Sequence, residues 1–347
     1  MSEVQQVRSE QVVGTVTPWA KRRDPSFDFL KGFLVVVMVV HHTLEYFVAP
    51  DYWLIRYVDF VTGGFVFAAG FLPALLLQSN PGGNRQKTCA RLFARGVKLL
   101  LLFVILNILL GFLLEKSPGG KQFGVSQFFR NLYPIFLYGD KSLVAFAILV
   151  PIAYTLIALA ILLQARHVRS VVAITALGLV TFCTLSSGWS FNLYYLSMGL
   201  AGGAAGMLVN PRLMGSSVRP GIKALLWAGA AVYMVSITFL RHDNAVLYAA
   251  GIFCVLGCAY TSVRAFEPET LWFQYHVVLG QYSLLGYLGQ ILFLQMLRRG
   301  HISALHWTLG LIPFLLTCVF LGGMSFGLDF LRKRNVTIDL AYRSVFA

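Results

Sequence analysis

The stretch Phe27–Val48, FDFLKGFLVVVMVVHHTLEYFV, decides the fold. A helix needs about 20 apolar residues to cross a bilayer core of ~30 Å, and this stretch supplies them, apolar without a break from Phe33 to Val40. Yet it also carries Asp28, Lys31, His41, His42 and Glu45. Asp28, Lys31, Val35, Met38, His42 and Glu45 follow one another at intervals of 3 or 4 residues, so they share one helix face. Ionisable groups on a lipid-facing stripe are costly, and those found inside a span usually face a protein interior or a watery path and have a function. His42 and Glu45 stand one turn apart, so the carboxylate can orient the imidazole and raise its basicity, as a general base requires. His41 is also one turn from Glu45 and is an alternative partner. The bland reading is a satisfied polar cluster that fixes helix packing.

Composition extends this reading to the whole chain. Of 347 residues, 57% are hydrophobic and 12% charged, against about one quarter charged in soluble domains. The apolar residues fall into about ten blocks, near 27–48, 57–78, 96–115, 143–163, 171–187, 193–209, 221–239, 245–264, 273–297 and 303–328. The expected fold is an all-α polytopic membrane protein of about ten transmembrane helices. A polar tail at 1–26 precedes the helical domain at 27–328, and a second tail at 329–347 follows it. Residues 1–26 lack the small-residue cleavage site of a secretory signal, so the tail is expected to stay. Composition excludes a cytosolic enzyme, a secreted disulfide scaffold and, despite a formal charge of +14, a nucleic-acid partner. Such an excess of charge instead marks cytoplasmic loops and contact with anionic membrane lipid. With the N-terminus inside, nineteen Lys and Arg collect on the cytoplasmic side and eight on the other, so both termini are expected to be cytoplasmic. The five cysteines show no metal-finger spacing, and no metal site is expected from them.

Three further features bear on function. Arg91, Arg95 and Lys98 share a face at the entry to the third block, where fixed cations suit a phosphate-bearing ligand or, more plainly, anchor the helix to the inner leaflet. In the ninth block His276, Gly280, Ser283, Tyr287 and Gln290 repeat at helical spacing, a face read mostly as close packing with hydrogen bonds between helices. Asp59, at the outer end of the second block, stands near the depth of Glu45 and can join its cluster. The one long outer loop, 116–142, is rich in aromatic residues and can form an interfacial helix or cover an outward-opening site.

The run Arg23-Asp24-Pro25-Ser26-Phe27-Asp28-Phe29-Leu30-Lys31-Gly32, followed by His42, resembles the opening signature of the membrane acyltransferase-3 superfamily. It looks most like the OpgC-type branch, the periplasmic-glucan succinyltransferases. Phe65-Val66-Phe67-Ala68-Ala69-Gly70-Phe71 is similar to that branch's second-helix motif, with Ala69 where Ser is usual. Arg91 and Arg95 resemble its paired arginines, and Leu279-Gly280-Gln281-Tyr282-Ser283 through Tyr287-Leu288 its late-helix motif, with Gln290 where many relatives have His. Lys31 replaces the commoner Arg, and His41 stands where an acidic residue usually precedes the His. The resemblance implies a multi-pass enzyme of the bacterial inner membrane. It would move an acetyl, succinyl or similar group from cytoplasmic acyl-CoA (acetyl-CoA or succinyl-CoA) to a hydroxyl of an extracytoplasmic glycan or glycolipid, alongside other polysaccharide-biosynthesis proteins. His42, helped by Glu45 or His41, would act as base or acyl carrier. Arg91, Arg95, Lys98 and Lys31 would hold the CoA, while Asp28, Asp59, Ser283, Tyr287 and Gln290 would be structural or line the channel. Two rival readings are a small secondary transporter of an organic anion and a catalytically silent subunit of a polysaccharide synthesis or export complex.

Overall fold

The computed structural model describes residues 24–49, 52–79, 84–113, 125–140, 144–186, 190–209, 218–239, 244–264, 266–299 and 308–346, and every regular element among them is helical. The N-terminal residues 1–23 and residues 114–124 of the long loop lie outside them.

α1 (Pro25–Thr43) starts where the Asp24 carboxylate accepts a hydrogen bond from the Ser26 backbone N–H at 2.9 Å. Pro25 sits in the first turn, where its missing N–H has no helical partner to lose. The helix then widens into a π-helical turn, Leu44–Val48. α2 (Ile55–Val58) and α3 (Phe60–Ser79) form one span with a single-residue turn at Asp59. α4 (Arg85–Leu113) begins well before the expected 96, so Arg91, Arg95 and Lys98 all lie on it. Within the long loop, α5 (Val125–Arg130) and a π-helical turn (Pro134–Tyr138) are formed, and Phe128 is buried against Phe103 of α4. There follow α6 (Leu149–Leu162), α7 (Val168–Leu185), α8 (Phe191–Leu208), α9 (Pro220–Phe239), α10 (Ala245–Val263), α11 (Leu271–Gln281), α12 (Ser283–Arg299), α13 (Thr308–Arg334) and α14 (Val336–Phe346).

Seven of these spans are long and apolar enough to cross a membrane, or eight when the bent pair α11–α12 is counted as one, rather than the expected ten. The difference lies in α6 and α8. α6 has 14 residues, short of a bilayer core. α8 is diluted by Gly, Asn and Tyr, and it packs among α3, α6 and α7, where close contact replaces hydropathy. Added Cβ atoms at Gly202 and Gly206 would strike the carbonyls of Phe67 and Phe71, so these glycines let α3 and α8 touch backbone to backbone.

The ninth expected helix, 273–297, is not continuous. Tyr282 leaves the helical region (φ −108°, ψ 26°), and α11 and α12 meet at 92°. On one side α11 is drawn onto α1: a side chain at Gly280 would overlap the Asp28 carbonyl, and one at Gly32 the His276 carbonyl. On the other, the Tyr282 hydroxyl donates to Asp329 Oδ1 and accepts from Arg332 Nη1, each at 3.1 Å, which ties the bend to the end of α13. The predicted single face is thereby split, with His276 and Gly280 on α11 and Ser283, Tyr287 and Gln290 on α12.

α1 packs against α11, α12, α10, α13 and α3, and its Leu34, Val35 and Met38 are fully buried. Asn107 of α4 is also fully buried. Its amide donates to the Ala145 carbonyl at 3.1 Å and accepts from the Ala145 N–H at 2.9 Å, pinning the chain ahead of α6. The next residue, Phe146, holds a positive φ of 59°, unusual for a bulky side chain, and packs edge-on against Tyr287. All five cysteines are free.

Candidate functional site

The polar residues of α1 divide between the two ends of the helix. At the end where α1 starts, Lys31 Nζ lies 2.7 Å from Asp28 Oδ1, and the Asp28 side chain is 3% exposed. In the middle Val35 and Met38 are packed into the core. At the far end stand His41, His42 and Glu45. The stripe is therefore two polar stations separated by an apolar plug, rather than a continuous polar track.

At the far station His42 Nδ1 lies 3.2 Å from Glu45 Oε2. His41 Nε2 lies 3.4 Å from Asp59 Oδ1, so each imidazole has its own carboxylate. Asp59 does join the cluster, through His41. The two rings meet edge to face at 5.3 Å, and Tyr46 stacks on His42 at 5.6 Å. Glu45 and Tyr46 sit on the π-helical turn, whose wider spacing re-aims side chains and recurs at functional sites. The histidine side chains are about 15% exposed while Glu45 is 41% exposed, so the cluster opens at the surface through its carboxylate. His41 Nδ1 finds no hydrogen-bond partner among the described residues. The ligand atoms of His41, His42 and Glu45 lie within 4.8 Å of one another. A zinc ion bonded to nitrogen at ~2.0–2.1 Å would have to draw them inward, whereas the carboxylate–imidazole pairs are already formed.

At the near station a cavity of about 670 Å³ opens between α1, α4, α12, α13 and α14. Lys31, Arg95, Lys98 and Ser283 line it; Arg91, exposed on the same helix as Arg95, does not. The sequence reading missed Arg332, Lys333 and Arg343, which enter from the chain's last 19 residues, read as a tail. That segment contains a helix: α14 returns Asp339 to Arg332 (2.6 Å) and Arg343 (2.7 Å), and Tyr342 lies under the Arg332 guanidinium at 4.1 Å. The hydrogen bond from Arg332 holds the Asp339 carboxyl below its ordinary value. A detectable signal is the amphipathic pattern of Val336–Phe346, with Arg332, Lys333 and Arg334 before it and Arg343 within it. Six basic residues face two acidic ones, Asp329 and Asp339, around this cavity. Lys31, Lys333, Arg332 and Arg343 have carboxylate partners, while Arg95 and Lys98 carry no ion pair among the described residues. The cavity thus carries an excess of fixed positive charge.

The other candidates lie in the packed interior. His276 is fully buried, its Nδ1 2.9 Å from the Trp272 carbonyl oxygen and its ring stacked on Phe29 at 4.7 Å. Tyr287 packs on Phe146. Gln290 is fully buried, and its amide has no partner among the described residues.

No protein-family model matches the chain, and neither a curated protein nor a solved structure is similar to it. The chain is a multi-pass membrane protein by helix length and hydropathy.

Proposed function

We propose that the chain is an integral membrane O-acyltransferase that takes a short acyl group from cytoplasmic acyl-CoA and delivers it to a hydroxyl of an extracytoplasmic glycan or glycolipid. One observation carries this reading. A single helix, α1, holds Lys31 at a basic cavity and His42, 11 residues later, in a carboxylate-backed imidazole pair; at ~1.5 Å per residue the two stations are about 16 Å apart. The motif resemblance around Asp28, Lys31 and His42 supports the same reading and carries the bacterial inner membrane with it, while the charge asymmetry of the loops favours both termini inside.

On this reading the donor's phosphates lie against Arg95, Lys98 and the other bases of the cavity. His42 takes the proton of the acceptor hydroxyl, Glu45 steadies the imidazolium, and the hydroxyl oxygen attacks the thioester carbonyl. The carbon–sulfur bond breaks, the ester forms, and CoA leaves as a thiolate that takes up a proton. In a two-step variant His42 carries the acyl group first. Val35 and Met38 lie between the stations, so the donor's reactive end reaches His42 only when they move aside.

The second reading, an organic-anion transporter, is favoured by the sharp break between α11 and α12 beside the basic cavity, since broken helices mark many transporter sites. One experiment separates them. Purified protein in nanodiscs is given acetyl-CoA or succinyl-CoA with a periplasmic glycan extract, and thiol release is followed for wild type, His42→Ala and Arg95→Ala. Turnover that is lost in His42→Ala and shows weakened donor affinity in Arg95→Ala establishes acyl transfer; folded protein without turnover, but with anion uptake in proteoliposomes, establishes transport.

A further inference from the structure

A second cavity, of about 690 Å³, lies at the same end of the bundle as the basic one and shares α1 with it, its other walls coming from different helices. Phe27 of α1, Phe67 of α3, Leu226 of α9 and Phe253 of α10 form its walls. Its polar groups are few. The hydroxyl of Tyr260 donates to the Asp24 carboxylate at 3.3 Å and that of Thr261 to the Cys258 carbonyl at 3.1 Å, while the Lys31 ammonium is paired with Asp28. A buried water needs two to four polar partners, so these walls do not support a water cluster. An apolar space that is large relative to its lining attracts an apolar occupant: an engineered cavity of ~150 Å³ already binds benzene. This one is several times larger and belongs to helices that stand in a bilayer.

Two cations give the cavity a polarity. Arg219 lines it immediately before the first residue of α9, and Lys31 lines it about six residues into α1. Basic pockets between helices near a membrane surface recognise the headgroups of anionic lipids. We propose that this cavity is a binding site for one anionic glycerophospholipid of the leaflet at that face, with its phosphate at Arg219 and an acyl chain laid along Phe67, Leu226 and Phe253 toward α1. The site is separate from the acyl-transfer reading and stands whether or not that reading holds. Lys31 lines both cavities, so a lipid seated here touches the same side chain as an anion in the basic cavity.

The test is native mass spectrometry of protein taken from nanodiscs with equal phosphatidylglycerol and phosphatidylcholine and then washed in mild detergent. Wild type is expected to keep one phosphatidylglycerol in preference to phosphatidylcholine. Arg219→Gln should lower that preference about fivefold, the worth of one basic residue near an anionic surface, while Lys223→Gln, an exposed cation four residues on that does not line the cavity, should not. Leu226→Trp, which fills the cavity, should abolish retention; the rim variant Leu225→Trp, at a position 72% exposed, serves if Leu226→Trp melts early. Equal retention of the two lipids by wild type, undiminished retention in folded Trp variants, or retention of a glycolipid in place of phosphatidylglycerol would overturn the proposal.

Discussion

His42 Nδ1 faces Glu45 Oε2 at 3.2 Å across the point where α1 widens into its π-helical turn, so the carboxylate engages one of the two ring nitrogens. A carboxylate on one imidazole nitrogen sets the tautomer and stabilises the imidazolium. With a general base worth about 10²–10⁴ in rate, His42→Ala should lose at least a hundredfold in turnover with the donor KM unchanged. Glu45→Gln keeps a hydrogen bond but removes the charge, and should lose less. Steady-state kinetics would check both. His41→Ala, whose ring is paired with Asp59 instead, should be milder than His42→Ala.

Donor binding should separate Arg95 from Arg91. Arg95 lines the basic cavity without an ion pair among the described residues, and Arg91 lies outside it. A hydrogen bond to a charged group contributes about 1.5–3 kcal/mol, so Arg95→Gln should raise the donor KM at least tenfold, and Arg91→Gln should leave it nearly unchanged. Isothermal titration with CoA would show the same order. Equal effects would return both residues to the role of membrane anchors.

The α1–α11 crossing should tolerate no side chain. Gly280→Ala places a methyl group on the Asp28 carbonyl, a backbone atom that cannot swing away, whereas an alanine at Gly178 on α7 meets nothing within 4 Å. Overpacking costs about 1–3 kcal/mol or more, while Gly→Ala at an open helical site adds about 0.5–1 kcal/mol of stability. Thermal melting in detergent should therefore fall for Gly280→Ala and hold or rise for Gly178→Ala.

Docking of α14 should depend on acid. The Asp339 carboxyl, with its value depressed below 3.8 chiefly by the Arg332 hydrogen bond, contributes at pH above the ordinary carboxylate range. That contribution is lost as pH falls through the depressed value, because the protonated carboxyl gives up its pairing with Arg332 and Arg343. A spin label on α14 should stay immobile from neutral pH to about pH 5 and become mobile under stronger acid. Asp339→Asn should show the mobile signal at neutral pH.

Much of this was legible without coordinates. The membrane class follows from composition, because apolar blocks of about 20 residues match the thickness of a bilayer core. The shared face of Asp28, Lys31, His42 and Glu45 follows from the fixed 3.6-residue turn, and that periodicity depends on nothing distant. The same logic failed at 276–290, because the break at Tyr282 is imposed from elsewhere, by α1 at Gly280 and by Asp329 and Arg332.

Sequence by itself thus determined the membrane class, most of the helical segments and the shared face of Asp28, Lys31, His42 and Glu45, all set by the local helical repeat. Tertiary structure alone decided that His41 takes Asp59 as its partner, that Val35 and Met38 close the space between the polar stations, and that α14 brings Arg332, Asp339 and Tyr342 to the cavity of Lys31 and Arg95. The reason is physical: such contacts join residues far apart in the chain, and which of them form is settled only when the helices compete to bury their faces against one another.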